Sequence, residues 1–130
     1  DLVIIMLGTN DLKHRFSLTA FDIAHGAGVL VKAVQQSGAG PEGAAPKVLL
    51  VAPPPLARLT YFADMFRGGE AKSLEFAAQY RVVAQEQGCH FFDAATVVQT
   101  SDLDGVHLEP EGQLALGRAL AEAARALLGG

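Results

Sequence analysis

Apolar positions along the chain group first into continuous runs and then into helical stripes. Residues 2–7 form an unbroken apolar run, and residues 48–52 form a second after Lys47. These runs, together with the shorter stretch 89–93 around two phenylalanines, predict strands over residues 2–7, 47–52 and 89–93. Such runs, when rich in valine and isoleucine, are typical of strands that are covered on both faces of a parallel sheet. Apolar residues at helical spacing predict helices over residues 19–37, 70–87 and 110–128. The order β-α-β-α-β-α predicts an α/β fold with a doubly wound parallel sheet.

Local signals mark where these elements begin and end. Thr19 and Asp22 have the spacing of a capping box, with Asp in place of Glu, and predict the start of the first helix. Three prolines at residues 53–55 end the second strand, because proline cannot donate a sheet hydrogen bond. Gly88 is expected to end the second helix, and Pro110 stands where the first residue of the third helix should be.

The composition narrows the class of protein. With 130 residues and 50% hydrophobic content, the chain fits one globular domain over residues 1–130. The net charge is -4 and the basic residues are scattered, so nothing indicates a nucleic-acid partner. No apolar run approaches the roughly 20 residues of a membrane span. The single cysteine, Cys89, excludes an internal disulfide, favours a reducing cytoplasmic compartment, and is interpreted as a buried structural thiol.

The first strand raises the question of completeness. The chain starts at Asp1, without a methionine, and enters a core strand at the next residue. A strand as apolar as this one would promote aggregation if it lay at an unpaired edge of the sheet. In addition, three strands are few for a doubly wound fold. We therefore expect either a homo-oligomer or a preceding segment, which is missing from this chain or supplied by another one.

Candidate chemistry lies where the three strands end, because the carboxyl ends of parallel strands open on one edge. Asn10, residues 53–55 and the loop that holds Asp104 and His107 should therefore surround one crevice. Asp104 and His107 are three residues apart, with Gly105 between them. A tight turn can bring the carboxylate to the imidazole Nδ1–H and leave Nε2 free as a base. The Asn10 amide could donate to a developing oxyanion, which is worth roughly 3–4 kcal/mol of barrier.

Two of these blocks resemble a known family. Gly8-Thr9-Asn10-Asp11 and Asp104-Gly105-Val106-His107 resemble two of the four signature blocks of the SGNH (GDSL-type) hydrolases, most of all their bacterial arylesterase and acyltransferase branch. The resemblance implies a flavodoxin-like sheet, a small ester substrate, and neither cofactor nor metal. It implies Asp104 and His107 as the acid and base of a Ser-His-Asp triad. It also implies Asn10 as an oxyanion-hole donor.

The chain departs from that family at the nucleophile. The family's serine lies in a Gly-Asp-Ser motif after its first strand, and that motif does not occur here. The chain has four serines, and none of them follows a strand in that context: Ser17, Ser37, Ser73 and Ser101. The resemblance therefore implies the C-terminal part of a serine esterase or acyltransferase whose serine is not in this chain. We expect the chain alone to be inactive.

Each candidate residue also has a plainer interpretation. Asn10 could be a turn residue after a strand, and His107 could be a helix-entry histidine with a local partner in Asp104. Phe62 and Phe66 could fill the core or form an apolar wall for an acyl or aryl group. Lys13 could line the mouth of the pocket or be solvated.

Other functional classes remain as alternatives. The chain could be a non-catalytic, truncated or swapped α/β module that needs a partner segment to close its sheet. A metal site built from His14, His107 and an aspartate is conceivable, although no close pair of ligands supports it. A nucleotide-binding domain ranks last, because neither a Gly-x-Gly-x-x-Gly motif nor a phosphate-binding Gly-Lys-Ser/Thr occurs.

Overall fold

The centre of the fold is a parallel sheet of three strands. The structure, a computed structural model, describes residues 1–129. The strands are β1 (Leu2–Ile5), β2 (Lys47–Ala52) and β3 (His90–Asp93), and β2 lies between the other two. Ile5 of β1 is paired with Leu50, and Asp93 of β3 is paired with Ala52. The predicted α/β fold with a parallel sheet is confirmed.

Alternate residues of β2 enter two different hydrophobic cores. Val48, Leu50 and Ala52 face a core that contains α1 (Ala20–Gln35) and α3 (Phe76–Gln87). The residues between them face a second core, which contains α4 (Pro110–Leu128). Because both faces are covered, the five residues of β2 from Val48 to Ala52 are apolar and buried, and only Lys47 at its start is exposed. The sheet is therefore wound on both sides, as the sequence predicts.

The helix boundaries follow the local signals. Asp22 donates its backbone N–H to Thr19 Oγ1 at 3.1 Å, and Thr19 donates its own N–H to Asp22 Oδ2 at 2.9 Å. This reciprocal capping box fixes the start of α1. Gly88 takes up a left-handed conformation with φ 62° after the last residue of α3, and Pro110 is the first residue of α4.

Two predicted boundaries are wrong. The helix expected over residues 70–87 is divided into α2 (Gly69–Ser73) and α3. Ser73 is buried, and its hydroxyl donates to the Glu70 carbonyl while it accepts the Leu56 N–H at 2.9 Å. A serine bonded back to its own helix competes with the helical hydrogen bonds and bends the axis, so the helix breaks there. The first strand ends at Ile5 rather than at residue 7.

The outer side of β1 is apolar and exposed. Ile4 is 40% exposed and Leu7 is 56% exposed. Together with Leu30 of α1, they line a groove of about 570 Å³. Within residues 1–129, β1 pairs only with β2. One edge of β1 therefore has no strand partner within the described part of the chain.

Two further observations bear on the composition. Cys89 is half-buried rather than fully buried, and this burial raises the pKa of its thiol. No helix in the described part of the chain has the length and apolar character needed to cross a membrane.

Candidate active site

A cleft of about 590 Å³ opens at the carboxyl ends of the strands. Asn10, which follows β1, lines it together with Pro53 and Pro54, which follow β2. His107, from the loop before α4, also lines it. The parallel sheet brings these residues together from distant parts of the sequence, as its topology requires.

Asp104 and His107 form a hydrogen-bonded pair inside one turn. His107 Nδ1 lies 2.7 Å from Asp104 Oδ2. The other carboxylate oxygen accepts the backbone N–H groups of Val106 at 2.8 Å and of His107 at 2.9 Å. The Asp104 side chain is 17% exposed, whereas that of His107 is 70% exposed. The aspartate is thus fixed within the turn, and the imidazole reaches out of it.

These contacts settle the charge of Asp104. The two backbone N–H donors, His107 first, and then the imidazole contact lower the pKa of Asp104 from 3.8 to about 2. The carboxylate is therefore ionised at neutral pH. An ionised carboxylate beside Nδ1 favours the tautomer that carries its proton on that nitrogen, which leaves Nε2 unprotonated.

Gly105 is required by the shape of this turn. Its φ of +79° is costly for any residue with a side chain, and a Cβ there would lie 2.6 Å from the Arg58 carbonyl oxygen. The Gly105 carbonyl accepts the Ala57 N–H at 2.9 Å. Close backbone packing against residues 57–58 therefore fixes the turn from outside.

Asn10 is presented by a short helical turn over Thr9–Leu12. Gly8, directly before it, has a φ of +137°, and a Cβ there would lie 2.1 Å from the Tyr80 hydroxyl oxygen. That buried hydroxyl donates a hydrogen bond to the Leu7 carbonyl, and burial raises the pKa of Tyr80 well above its usual range. Leu12 is 1% exposed and anchors the other end of the turn. Asn10 itself is exposed, on a turn fixed at both ends.

The residues predicted to form the pocket lie beside the cleft and do not line it. Phe62 contacts His107 edge-on, with 5.9 Å between the ring centroids. Phe66 is 3% exposed and belongs to the core, and Lys13 Nζ lies 5.9 Å from its ring centroid. The segment between β2 and α2 folds back onto the turn after β1, where His14 donates its N–H to the Met65 carbonyl at 2.8 Å. Phe66, the next residue, is buried.

None of the four serines lines this cleft within the described residues. Ser17 is exposed and has a φ of 52°. Ser37 donates to the Val34 carbonyl at 2.7 Å, at the end of α1. Ser73 and Ser101 are buried. The same part of the chain contains no cluster of three or more histidine, cysteine or acidic residues that could hold a metal ion.

Sequence reasoning missed three residues that shape the site. Tyr80 looks like an ordinary apolar position of α3, yet its hydroxyl supports the strand end before Asn10. Ser101 and Glu109 are bonded to each other across the base of the His107 turn. The sequence carries no signal for these contacts, because each depends on tertiary packing or on the shape of a loop.

Comparison with known proteins gives a consistent result. Residues 1–115 match the GDSL-like Lipase/Acylhydrolase family. The native aryl esterase of M. smegmatis is 47% identical with a TM-score of 0.91, and the match covers 98% of this chain and 61% of that one. A carbohydrate acetylesterase from Sinorhizobium meliloti is 46% identical with a TM-score of 0.92, again over 98% of this chain and 61% of that one. This chain thus spans about three fifths of the length of these structures. No curated protein gives a significant match.

Proposed function

Because the chain belongs to the GDSL-like lipase/acylhydrolase family, we propose that it supplies the acid, the base and an oxyanion donor of a serine ester hydrolase. The observation that carries this proposal is the 2.7 Å contact between His107 Nδ1 and Asp104 Oδ2 in a turn that shares its cleft with Asn10. An oriented imidazole at a strand-end cleft is the arrangement that nucleophilic acyl transfer requires.

In the proposed reaction, a serine oxygen attacks the ester carbonyl and gives its proton to His107 Nε2. Asp104 holds the ring by Nδ1 and stabilises the imidazolium that forms. The Asn10 amide donates to the oxyanion of the tetrahedral intermediate. The intermediate expels the alcohol, which takes the proton from His107, and a water molecule then repeats the sequence on the acyl-enzyme. If another alcohol replaces the water, the same steps give acyl transfer.

For the substrate, we propose small carboxylic esters, with aryl and acetyl esters as the first class to test. The two relatives described above are named as an aryl esterase and a carbohydrate acetylesterase. The cleft of about 590 Å³ has apolar walls that include Leu18 and Ile23. A cleft lined by apolar side chains with a few polar groups among them suits an ester of modest size. The mechanism needs neither a metal nor an organic cofactor.

For the nucleophile, we propose a segment outside these 130 residues that adds a strand beside β1. Two observations support this: the apolar groove along Ile4 and Leu7, and the 61% coverage of the similar structures. The segment could belong to the same polypeptide or to a second subunit. If no such segment exists, the chain is a non-catalytic module, which is the second candidate function.

The test is hydrolysis of p-nitrophenyl acetate by the complete protein and by its His107→Ala variant. We expect turnover to fall by at least about 10³-fold, since the serine loses its base. His25→Ala is the matched control, because His25 pairs with Glu86 Oε2 at 3.5 Å and does not line the cleft. Near-normal turnover of the His107 variant would overturn the assignment. A burst of p-nitrophenol from the 130-residue chain alone would show that one of its own serines is the nucleophile.

A further inference from the structure

Ser101 closes the turn that carries Asp104 and His107. Its backbone N–H donates to the His107 carbonyl at 2.7 Å, and its carbonyl accepts the Gly105 N–H at 2.8 Å. Its hydroxyl oxygen accepts the Leu103 N–H at 3.0 Å. Ser101 is 7% exposed, so water competes little for these bonds. The buried Ser101 is therefore hydrogen-bonded to Leu103 and Gly105 within the turn and to His107 at its end.

Glu109 completes this arrangement from the other side. The Ser101 hydroxyl has a single proton. The oxygen accepts the Leu103 N–H through a lone pair, and the proton is donated to the Glu109 carboxylate. Glu109 is the residue before α4, but its side chain makes no capping hydrogen bond to the helix. It reaches back over the base of the turn instead.

We propose that Ser101 and Glu109 are positioning residues, which hold the Asp104–His107 turn so that the imidazole keeps its proton on Nδ1 and its Nε2 free. The inference rests on the proposed function in one respect: a free Nε2 is needed for catalysis only if His107 is the base. Neither residue needs to contact the substrate.

The reason is that the bonds to Asp104 depend on the shape of the backbone. Its carboxylate is held by the N–H groups of Val106 and His107, and these point at it only while the turn keeps its form. The Ser101–His107 bond fixes the backbone from which the ring projects. If the base of the turn loosens, the ring leaves the carboxylate for part of the time. The neutral imidazole is then no longer confined to one tautomer.

The test reads the tautomer directly, from the ring ¹⁵N chemical shifts of His107 in the labelled chain at a pH where the ring is neutral. We expect the native chain to be mainly Nδ1-protonated. Glu109→Ala and Ser101→Ala should each lower the ratio of the Nδ1–H to the Nε2–H form at least two-fold. Glu109→Gln should restore the native ratio, because its amide oxygen still accepts from Ser101. Glu111→Ala, an exposed glutamate in the first turn of α4, is the matched control and should change nothing.

An unchanged tautomer ratio in the folded Glu109→Ala variant would overturn the proposal. Glu109 is exposed, so this variant decides the matter even if Ser101→Ala does not fold. If Glu109→Gln does not have the native tautomer ratio, the proposal is also contradicted, because the glutamine still offers an oxygen that accepts from the Ser101 hydroxyl. The ring shifts are measured without ester turnover. If the complete protein is inactive while His107 shows the expected shifts, the proposed esterase function is contradicted and this inference stands.

Discussion

His107 Nδ1 lies 2.7 Å from Asp104 Oδ2, and the two residues belong to the same turn. The backbone N–H of His107 also donates to the same carboxyl group, at 2.9 Å. One aspartate therefore holds both the ring and the main chain of one histidine. Two hydrogen bonds, one to the ring and one to the backbone N–H, restrict the imidazole more than a bond to the ring alone, because they also fix the position of Cα.

The first prediction concerns the stability of the fold in acid. The pKa of Asp104 is lowered from 3.8 to about 2, so its ionised form favours the folded state. That contribution is fully present above the unfolded pKa and is lost as the pH falls from about 4 through about 2. We expect the free energy of unfolding to fall in this window by at most about 2 kcal/mol from this group, and Asp104→Asn to remove that part of the slope. Urea titrations at several pH values measure it.

Asp102→Asn, at an exposed position of the same loop, is the control for this experiment. If the native chain and Asp104→Asn lose stability equally between pH 4 and pH 2, the hydrogen bonds to Asp104 do not lower its pKa in solution.

The second prediction concerns Gly105. An alanine there would combine a left-handed φ of +79° with a Cβ 2.6 Å from the Arg58 carbonyl oxygen. Strain of this kind and a backbone clash each cost about 1–3 kcal/mol. We expect Gly105→Ala to lower the free energy of unfolding by at least about 2 kcal/mol in urea denaturation. Gly88→Ala is the control, because Gly88 has a φ of +62° with no atom within 4 Å of the added Cβ. Equal costs for the two variants would show that the contact with Arg58 is unimportant.

The third prediction concerns Tyr80. Its hydroxyl donates to the Leu7 carbonyl, which lies two residues after β1 and directly before Gly8, at the start of the turn that carries Asn10. Tyr80→Phe removes this part-buried hydrogen bond, and we expect the free energy of unfolding to fall by about 1 kcal/mol. Thermal or urea denaturation measures the loss, and Tyr61→Phe, at a residue that is 83% exposed, is the matched control. A Tyr80→Phe variant as stable as the native chain would show that the Leu7 carbonyl finds another donor.

The fourth prediction concerns Asn10 in the complete protein and rests on the proposed function. If its amide donates to the oxyanion, Asn10→Ala should lower kcat by about 10²–10³-fold with little change in KM. The contact is made in the transition state, so binding of the ester is largely unaffected. Steady-state kinetics with p-nitrophenyl acetate measure both constants. Gln85→Ala, which removes an exposed amide from α3, is the control. A rise in KM at constant kcat would assign Asn10 to substrate binding instead.

The fold could be predicted wherever local patterns and tertiary packing agree. β2 was predicted with its observed bounds, because the five consecutive apolar residues that follow Lys47 are what a strand buried on both faces requires. The start of α1 was predicted from two residues, Thr19 and Asp22, that satisfy each other within one turn. The break after Ser73 could not be predicted, since it depends on a bond to Leu56, which is 17 residues away in sequence.

In the candidate site, too, contacts within a short segment could be predicted, whereas contacts that depend on tertiary packing could not. The pairing of Asp104 with His107 could be predicted, because a three-residue spacing with a central glycine permits few turns. The burial of Phe66 could not, since the direction of its ring depends on how an aperiodic segment folds back. The bond between Ser101 and Glu109 has no sequence signature, because serines and glutamates at this spacing occur in many loops. The catalytic roles of Asn10, Asp104 and His107 remain predictions.

The compactness of the turn from Ser101 to Glu109 has a consequence for protein engineering. Its acid, its imidazole and the bonds that shape it all come from nine consecutive residues, and its outside support comes mainly from the main chain of residues 57–58. Because most of the hydrogen bonds that orient His107 lie within this segment, we expect that the nine residues can be grafted as a unit onto another protein. The recipient protein would need a strand end before the graft, a helix after it, and one main-chain segment that packs against the turn and donates a hydrogen bond to it.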